Sequence, residues 1–202
     1  MKKLLCAVLI TVMLFAVMGV TSFAATVHTV EKGDSLWKIA VRYQVGLSEI
    51  KAANPSIKNY NLIYPGQQIN IPTVSSSVTD YEAEVVRLVN EIRKSNGLKP
   101  LTQDWQLSRV ARYKSQDMKK LGYFSHTSPT YGSPFDMMKS FGISYRTAGE
   151  NIAKGYATPK AVVEAWMNST GHRANILNST YTHIGVGYVS SGNYWTQMFI
   201  SK

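Results

Sequence analysis

The chain has a single cysteine, Cys6, among its 202 residues. Cys6 lies within the apolar run 4–20, which follows Lys2 and Lys3 and ends in Ser22-Phe23-Ala24, small residues at the two positions a signal peptidase reads. Residues 1–24 therefore read as an export signal, and the exported chain is expected to start at Ala25. An uncleaved anchor is the alternative, because the run approaches the length that spans a bilayer. Leu5, just before Cys6, is too bulky for lipoprotein processing. Cleavage would leave no thiol, which excludes disulfides, thiolate zinc sites and cysteine nucleophiles together.

Other shortages narrow the field further. No later stretch is apolar enough to span a membrane, so membrane contact is expected only through the signal segment before cleavage. Acidic residues are scarce, 12 against 22 Lys and Arg, and the net charge is +10. Such a balance favours polyanionic partners. Nucleic acid is not expected, since the basic residues are mixed with acids along helices and form no stripe interleaved with aromatics. Only four histidines occur. No two of them share a helix at the spacing of a zinc peptidase, and no serine has an identifiable base and orienting carboxylate.

Two modules follow the signal. In the first, residues 26–72, "TVHTV" alternates like an edge strand, and Gly33-Asp34 supplies a turn and a helix cap. "SLWKIAVRY" then sets Leu36, Trp37, Ile39 and Ala40 on one helical side, with Trp37 expected in the core. "LSEIKAAN" is a second short helix stopped by Asn54-Pro55, and "LIYPGQQINIP" turns at Pro65-Gly66 into a strand from Gln68 to Ile71. The order is strand, helix, helix, strand. His28 needs no role beyond an exposed strand position.

The segment "HTVEKGDSLWKIAVRYQVGLSEIKAANPSIKNYNLIYPGQQINIP" resembles the lysin motif (LysM) over its whole length, from V-x-x-G-D-S-L-W-x-I-A to the closing P-G-Q-x-I-x-I-P. The resemblance implies binding of N-acetylglucosamine chains, in peptidoglycan or a chitin-like polymer, in a shallow groove. Carried over, that groove is Gly33, Asp34, Ser35 and Leu36 facing Asn61, Leu62, Ile63, Tyr64 and Pro65. Backbone groups at the helix start suit an acetamide, and Leu36 and Ile63 suit its methyl and the sugar C–H faces.

Residues 73–79, "TVSSSVT", read as a short polar joint. Residues 80–202 form the second module, which Thr79-Asp80-Tyr81-Glu82 opens as a capping box. "YEAEVVRLVNEIRKSN" presents Val85, Leu88, Val89 and Ile92 on one face and stops at Gly97; Trp105 starts a second helix that runs to about Leu121. Ser133-Pro134 and Thr158-Pro159 open two more, the last, "KAVVEAWMNST", ending at Gly171. "HIGVGYV" and "YWTQMFI" are strands joined by a tight turn, and Gly185 and Gly187 mark a close helix or backbone approach. Trp166, Trp195 and Phe199 read as core. The expected class is α+β, a small strand-helix-helix-strand module followed by an α-β-α layered domain.

The landmarks "LVNEIRKSNGLKPL", "FSHTSP", "AGENIA", "AWMNSTGHRANIL", "HIGVGY" and "YWTQMF" are similar, in order, to the CAP superfamily of cysteine-rich secretory, antigen 5 and pathogenesis-related proteins, in its bacterial branch. The resemblance implies a cleft of two histidines and two glutamates able to hold zinc or another divalent metal. His126, Glu150 and His172 match three of the four. Ser169 stands where the second glutamate would be, and Glu164 is a distant substitute, so the metal expectation is weakened. Three readings of the trio remain open: a hydrogen-bonded network, a metal site, or a proton-transfer group with Glu150 as the candidate catalytic acid.

The functional expectation is a secreted, extracellular, wall-associated protein that binds peptidoglycan through the first module and presents the cleft of the second. Anionic wall polymers are further expected partners. The alternatives are a wall hydrolase acting through Glu150, although no second carboxylate is placed beside it, and a structural protein of a spore coat or envelope.

Overall fold

The computed structural model describes residues 23–202; the expected export signal, residues 1–24, lies outside the described residues except for its last two. In the first module, β1 (Phe23–Thr29) pairs antiparallel with β2 (Gln68–Val74), and α1 (Leu36–Arg42) and α2 (Leu47–Ala53) lie between them in sequence. β1 takes in Phe23 and Ala24, which the expected cleavage would remove, while Ala25 to Thr29 still pair with Pro72 to Gln68. Leu36, Ile39, Ala40, Ile50, Ile69 and Ile71 form the small core.

Two assignments in this module change. Trp37 is 64% exposed, because the helix turns only Leu36, Ile39 and Ala40 onto the sheet. A seven-residue helix has one narrow buried stripe, and Trp37 lies just off it. His28 is buried instead of exposed, with Nε2 2.8 Å from Asp34 Oδ2 and Nδ1 3.2 Å from the Tyr43 hydroxyl. Asp34 is thereby drawn away from capping, and Ser35 caps α1 by accepting from Lys38 N.

The joint expected at 73–79 is almost absent. β2 runs to Val74 and α3 (Ser76–Ser95) begins after Ser75 alone. The capping box Thr79–Glu82 does not form, since α3 starts upstream of it; Thr79 Oγ1 donates to Ser76 O. Glu82, fully buried, instead accepts from the Arg112 guanidinium and from Tyr188 N.

The second module continues with β3 (Thr102–Gln103), α4 (Trp105–Leu121), α5 (Pro134–Ser140), β4 (Thr147–Lys154), α6 (Pro159–Met167), α7 (Thr170–Ile176), β5 (His183–Val189) and β6 (Tyr194–Ser201). The sheet order is β3-β5-β6-β4, parallel between β3 and β5 and antiparallel elsewhere. One face packs Leu107, Val110 and Ala111 of α4 and Met137 and Met138 of α5 on Met198 and Ile200. The other packs Val85 and Val89 of α3, Val162 and Trp166 of α6 and Ile176 of α7 on Val186, Trp195 and Phe199. The result is the expected α-β-α layering.

Gly185 and Gly187 face α4. A Cβ on Gly187 would sit 2.1 Å from Ala111 C and one on Gly185 2.4 Å from Leu107 C, so the missing side chains let helix backbone rest on strand backbone. The helix expected to end at Gly171 is two helices. α6 stops at Asn168, Ser169 is the N-cap of α7, and Gly171 and His172 sit in the first turn of α7. Ser169 adopts the extended backbone of an N-cap, so the break precedes the glycine that reads as a stop.

Candidate functional site

In the first module, the turn after β1 and the loop before β2 enclose a hollow of about 220 Å³ lined by Asp34, Ser35, Leu36, Trp37, Leu47, Lys51, Tyr60, Asn61 and Ile63. Five residues expected from sequence line it: Asp34, Ser35, Leu36, Asn61 and Ile63. Gly33, Leu62, Tyr64 and Pro65 lie around it without lining it, and Leu62 and Tyr64 are exposed. Gly33 serves the turn, with a φ of +90° that suits glycine. Leu47, Lys51 and Tyr60 also line it, outside the carried-over groove, and so does Trp37, which helical spacing assigns to the core. Asp34 is held rigidly by Glu31 N at 3.0 Å, His28 and Arg42, and the first of these bonds does most to lower its carboxyl below the usual range.

In the second module, the candidate residues lie around β4, the strand at one edge of the sheet. Glu150 lies opposite Met198 and so faces α4, whereas Asn151 lies opposite Gln197 and faces α7. The His126 ring, just over half exposed, lies with Nδ1 2.7 Å from Glu150 Oε1. Its loop is organised by Asp117, which accepts from the hydroxyls of Tyr123, Ser128 and Thr130, each at 2.6 Å. Ser128 and Gly132 close the loop with paired backbone bonds.

On the opposite face, Asn151 Nδ2 donates to His172 O at 3.1 Å and to Gln197 Oε1 at 3.0 Å. Asn175 Nδ2 donates to Glu150 O and to Asn151 Oδ1, satisfying edge-strand backbone that would otherwise be open. Thr196 bonds Ser115 and is fully buried, as are Asn151 and Gln197. Among the described residues the His172 ring takes no part in the His126–Glu150 pair. His183 bonds Thr182 and lies outside the group.

The electrostatics follow from burial. Glu150 is 6% exposed, and burial pushes its carboxyl above the usual value against the opposing effects of His126 and Lys114. Burial, and then the charge of His126, pulls His172 below the usual imidazole value. Among the described residues, the buried side-chain atoms Glu150 Oε2 and Gln197 Nε2 have no hydrogen-bond partner within the protein.

The donor set does not fit the divalent ion that the resemblance implies. Among the described residues no three His, Cys, Asp or Glu side chains converge as a metal site. His126 Nδ1 is committed to Glu150, Ser169 stands at the N-cap position of α7 with a neutral hydroxyl in place of a carboxylate, and Glu164 is exposed beside Lys160. Physically, the trio divides into a His126–Glu150 pair and a separate His172. The pair can orient an imidazole whose second nitrogen is uncommitted, as a proton-transfer group requires.

Comparison with known proteins agrees with both halves. The model of the cysteine-rich secretory protein (CAP) family matches residues 86–200, and the LysM domain model matches residues 28–72. The chain belongs to the cysteine-rich secretory protein family and carries an N-terminal LysM domain. An uncharacterized Bacillus subtilis protein, YkwD, is 69% identical over 127 residues, covering 63% of this chain and 49% of that protein. The spore coat assembly protein ExsA of Bacillus cereus is 45% identical over 49 residues, 24% of this chain and 8% of its own length. A crystal structure of an extracellular protein containing a SCP domain from Bacillus anthracis superposes with a TM-score of 0.60 at 35% identity, covering 68% of this chain and 47% of that one. The chain thus spans about half the length, or less, of these relatives.

Proposed function

We propose that this chain is an exported protein that attaches to N-acetylglucosamine polymer in the bacterial wall through its LysM groove and presents the His126–Glu150 site of its CAP domain there. The observation that carries the reading is Trp37. A large aromatic left 64% exposed beside a hollow that also holds polar groups is well placed to stack on a sugar face. Asp34, Ser35 and Asn61 supply polar groups beside it, and Leu36 and Ile63 supply apolar contact. The excess of basic residues adds attraction to anionic wall polymers.

The test is co-sedimentation with purified peptidoglycan. Wild-type chain is expected in the pellet, and Trp37→Ala and a chain lacking residues 26–72 in the supernatant. Equal pelleting of all three would overturn the assignment. Turbidity of the same walls tests the alternative of a hydrolase: clearing by wild type that Glu150→Gln abolishes would make the CAP site catalytic. Attachment to the spore envelope, in keeping with the spore coat relative, predicts appearance of the protein only during sporulation.

A further inference from the structure

Lys114 of α4 is fully buried, although lysine is almost never so unless its charge is compensated. Its ammonium donates to His126 O at 2.7 Å and to the Tyr123 hydroxyl at 3.2 Å, and lies 5.0 Å from the centroid of the Tyr123 ring. Two of its three donors are thus placed on the loop that carries His126. Tyr123 in turn donates to Asp117, one helical turn beyond Lys114. His126 is gripped twice, by Lys114 at its carbonyl and by Glu150 at its ring. The buried ammonium and the buried Glu150 carboxylate face the same residue from two sides.

We propose that the Lys114 ammonium is the built-in cation of this site: it compensates Glu150 from inside the fold, holds the His126 loop in place, and keeps a divalent metal ion from binding at His126 and Glu150. The charge effects agree in sign. Burial pushes Lys114 downward, with Glu150 and then Asp117 opposing it, and Glu150 is pushed upward with His126 and then Lys114 opposing. A divalent ion at the same carboxylate would have to break the His126–Glu150 bond and bind in the field of the buried ammonium that is held at His126 O.

The test is zinc binding by calorimetry, with the His126 and His172 ring resonances followed by NMR so that zinc held elsewhere is not counted. Lys114→Met removes the charge at similar volume. It is expected to bind zinc at least about tenfold more tightly than wild type, with the gain lost in Lys114→Met/Glu150→Gln. An unchanged affinity in a folded Lys114→Met would overturn the proposal. Should that variant fail to fold, wild type decides alone. Ring signals unmoved by a roughly tenfold excess of zinc support the proposal, and shifts of both rings at equimolar zinc overturn it.

Discussion

Arg109 of α4 and Glu49 of α2 join the two modules. The guanidinium donates to the carboxylate through Nε and, at 2.9 Å, through Nη2, and the Tyr113 hydroxyl donates to the same carboxylate at 2.8 Å. Arg109 also lies over the Phe141 ring at 5.1 Å. Gly46 lets it approach, since a Cβ there would meet Arg109 Nη2 at 2.3 Å. With Ser75 as the whole connection between β2 and α3, this contact ties the two modules together at a second point.

The interface should therefore matter to stability and shape. Glu49→Ala leaves a partly buried guanidinium and the Tyr113 hydroxyl without their partner. A loss of about 1–3 kcal/mol is expected in urea denaturation. Small-angle scattering should report a larger radius of gyration for the variant. Unchanged scattering and unchanged stability would mean that the contact does not couple the modules.

The same pair sets an acid limit. Burial alone would raise the Glu49 carboxyl, but the bonds from Arg109, Ser48 and Tyr113 outweigh it, and its folded value lies below the usual 4.5. A carboxyl lowered by folding contributes stability that is full above its unfolded value and is lost as pH falls through the lowered one. The stability difference between wild type and Glu49→Gln should accordingly shrink on going from about pH 6 to about pH 3. A difference that stayed constant over that range would contradict the assignment.

Trp37→Ala separates a groove residue from a core residue. An exposed side chain should cost less than about 0.5 kcal/mol on removal, against about 3–5 kcal/mol for a buried aromatic. Thermal melting should be almost unmoved while retention on peptidoglycan falls. A large drop in melting temperature would return Trp37 to the core.

Gly187→Ala probes the strand–helix contact. Its Cβ would meet backbone atoms of Ala111 and Arg112 at 2.1 Å, and backbone cannot yield as a flexible side chain does. A loss of about 1–3 kcal/mol or more is expected from overpacking, measured by denaturant unfolding. Gly33→Ala, where nothing lies within 4 Å of the added Cβ, should lose only the smaller cost of its positive φ, about 1 kcal/mol.

Asp117→Ala tests how the His126 loop is held. Three hydroxyls lose their acceptor at once, and hydrogen bonds to a charged group contribute about 1.5–3 kcal/mol each. Amide exchange in residues 123–132 should speed up while that of β5 and β6 stays slow. Equal protection in wild type and variant would show that Asp117 does not organise the loop.

Much of this architecture was legible because local spacing carries it. The 3.6-residue recurrence of Val85 and Val89 marks α3, and the alternation in "HIGVGYV" and "YWTQMFI" marks β5 and β6. The Gly185 and Gly187 pattern marks a close approach, and α4 makes it. Elsewhere local signals compete, and spacing does not say which prevails: the narrow buried face of α1 leaves Trp37 out, the Asp34 carboxylate holds His28 inside, α3 starts upstream of Thr79, and the break at Ser169 precedes Gly171.

By itself, then, the amino-acid order determined two modules, their families, and nearly all helices and the central strands, because periodicity and turn chemistry act over a few residues. Tertiary structure alone decided which polar groups bond: Glu49 reaches Arg109 across 60 positions, and of the trio that the family resemblance placed in one cleft His126 and Glu150 bond directly, across 24, because packed layers bring distant side chains together. Spacing in a chain records which face of an element is apolar, but it carries no coordinate for what will cover that face.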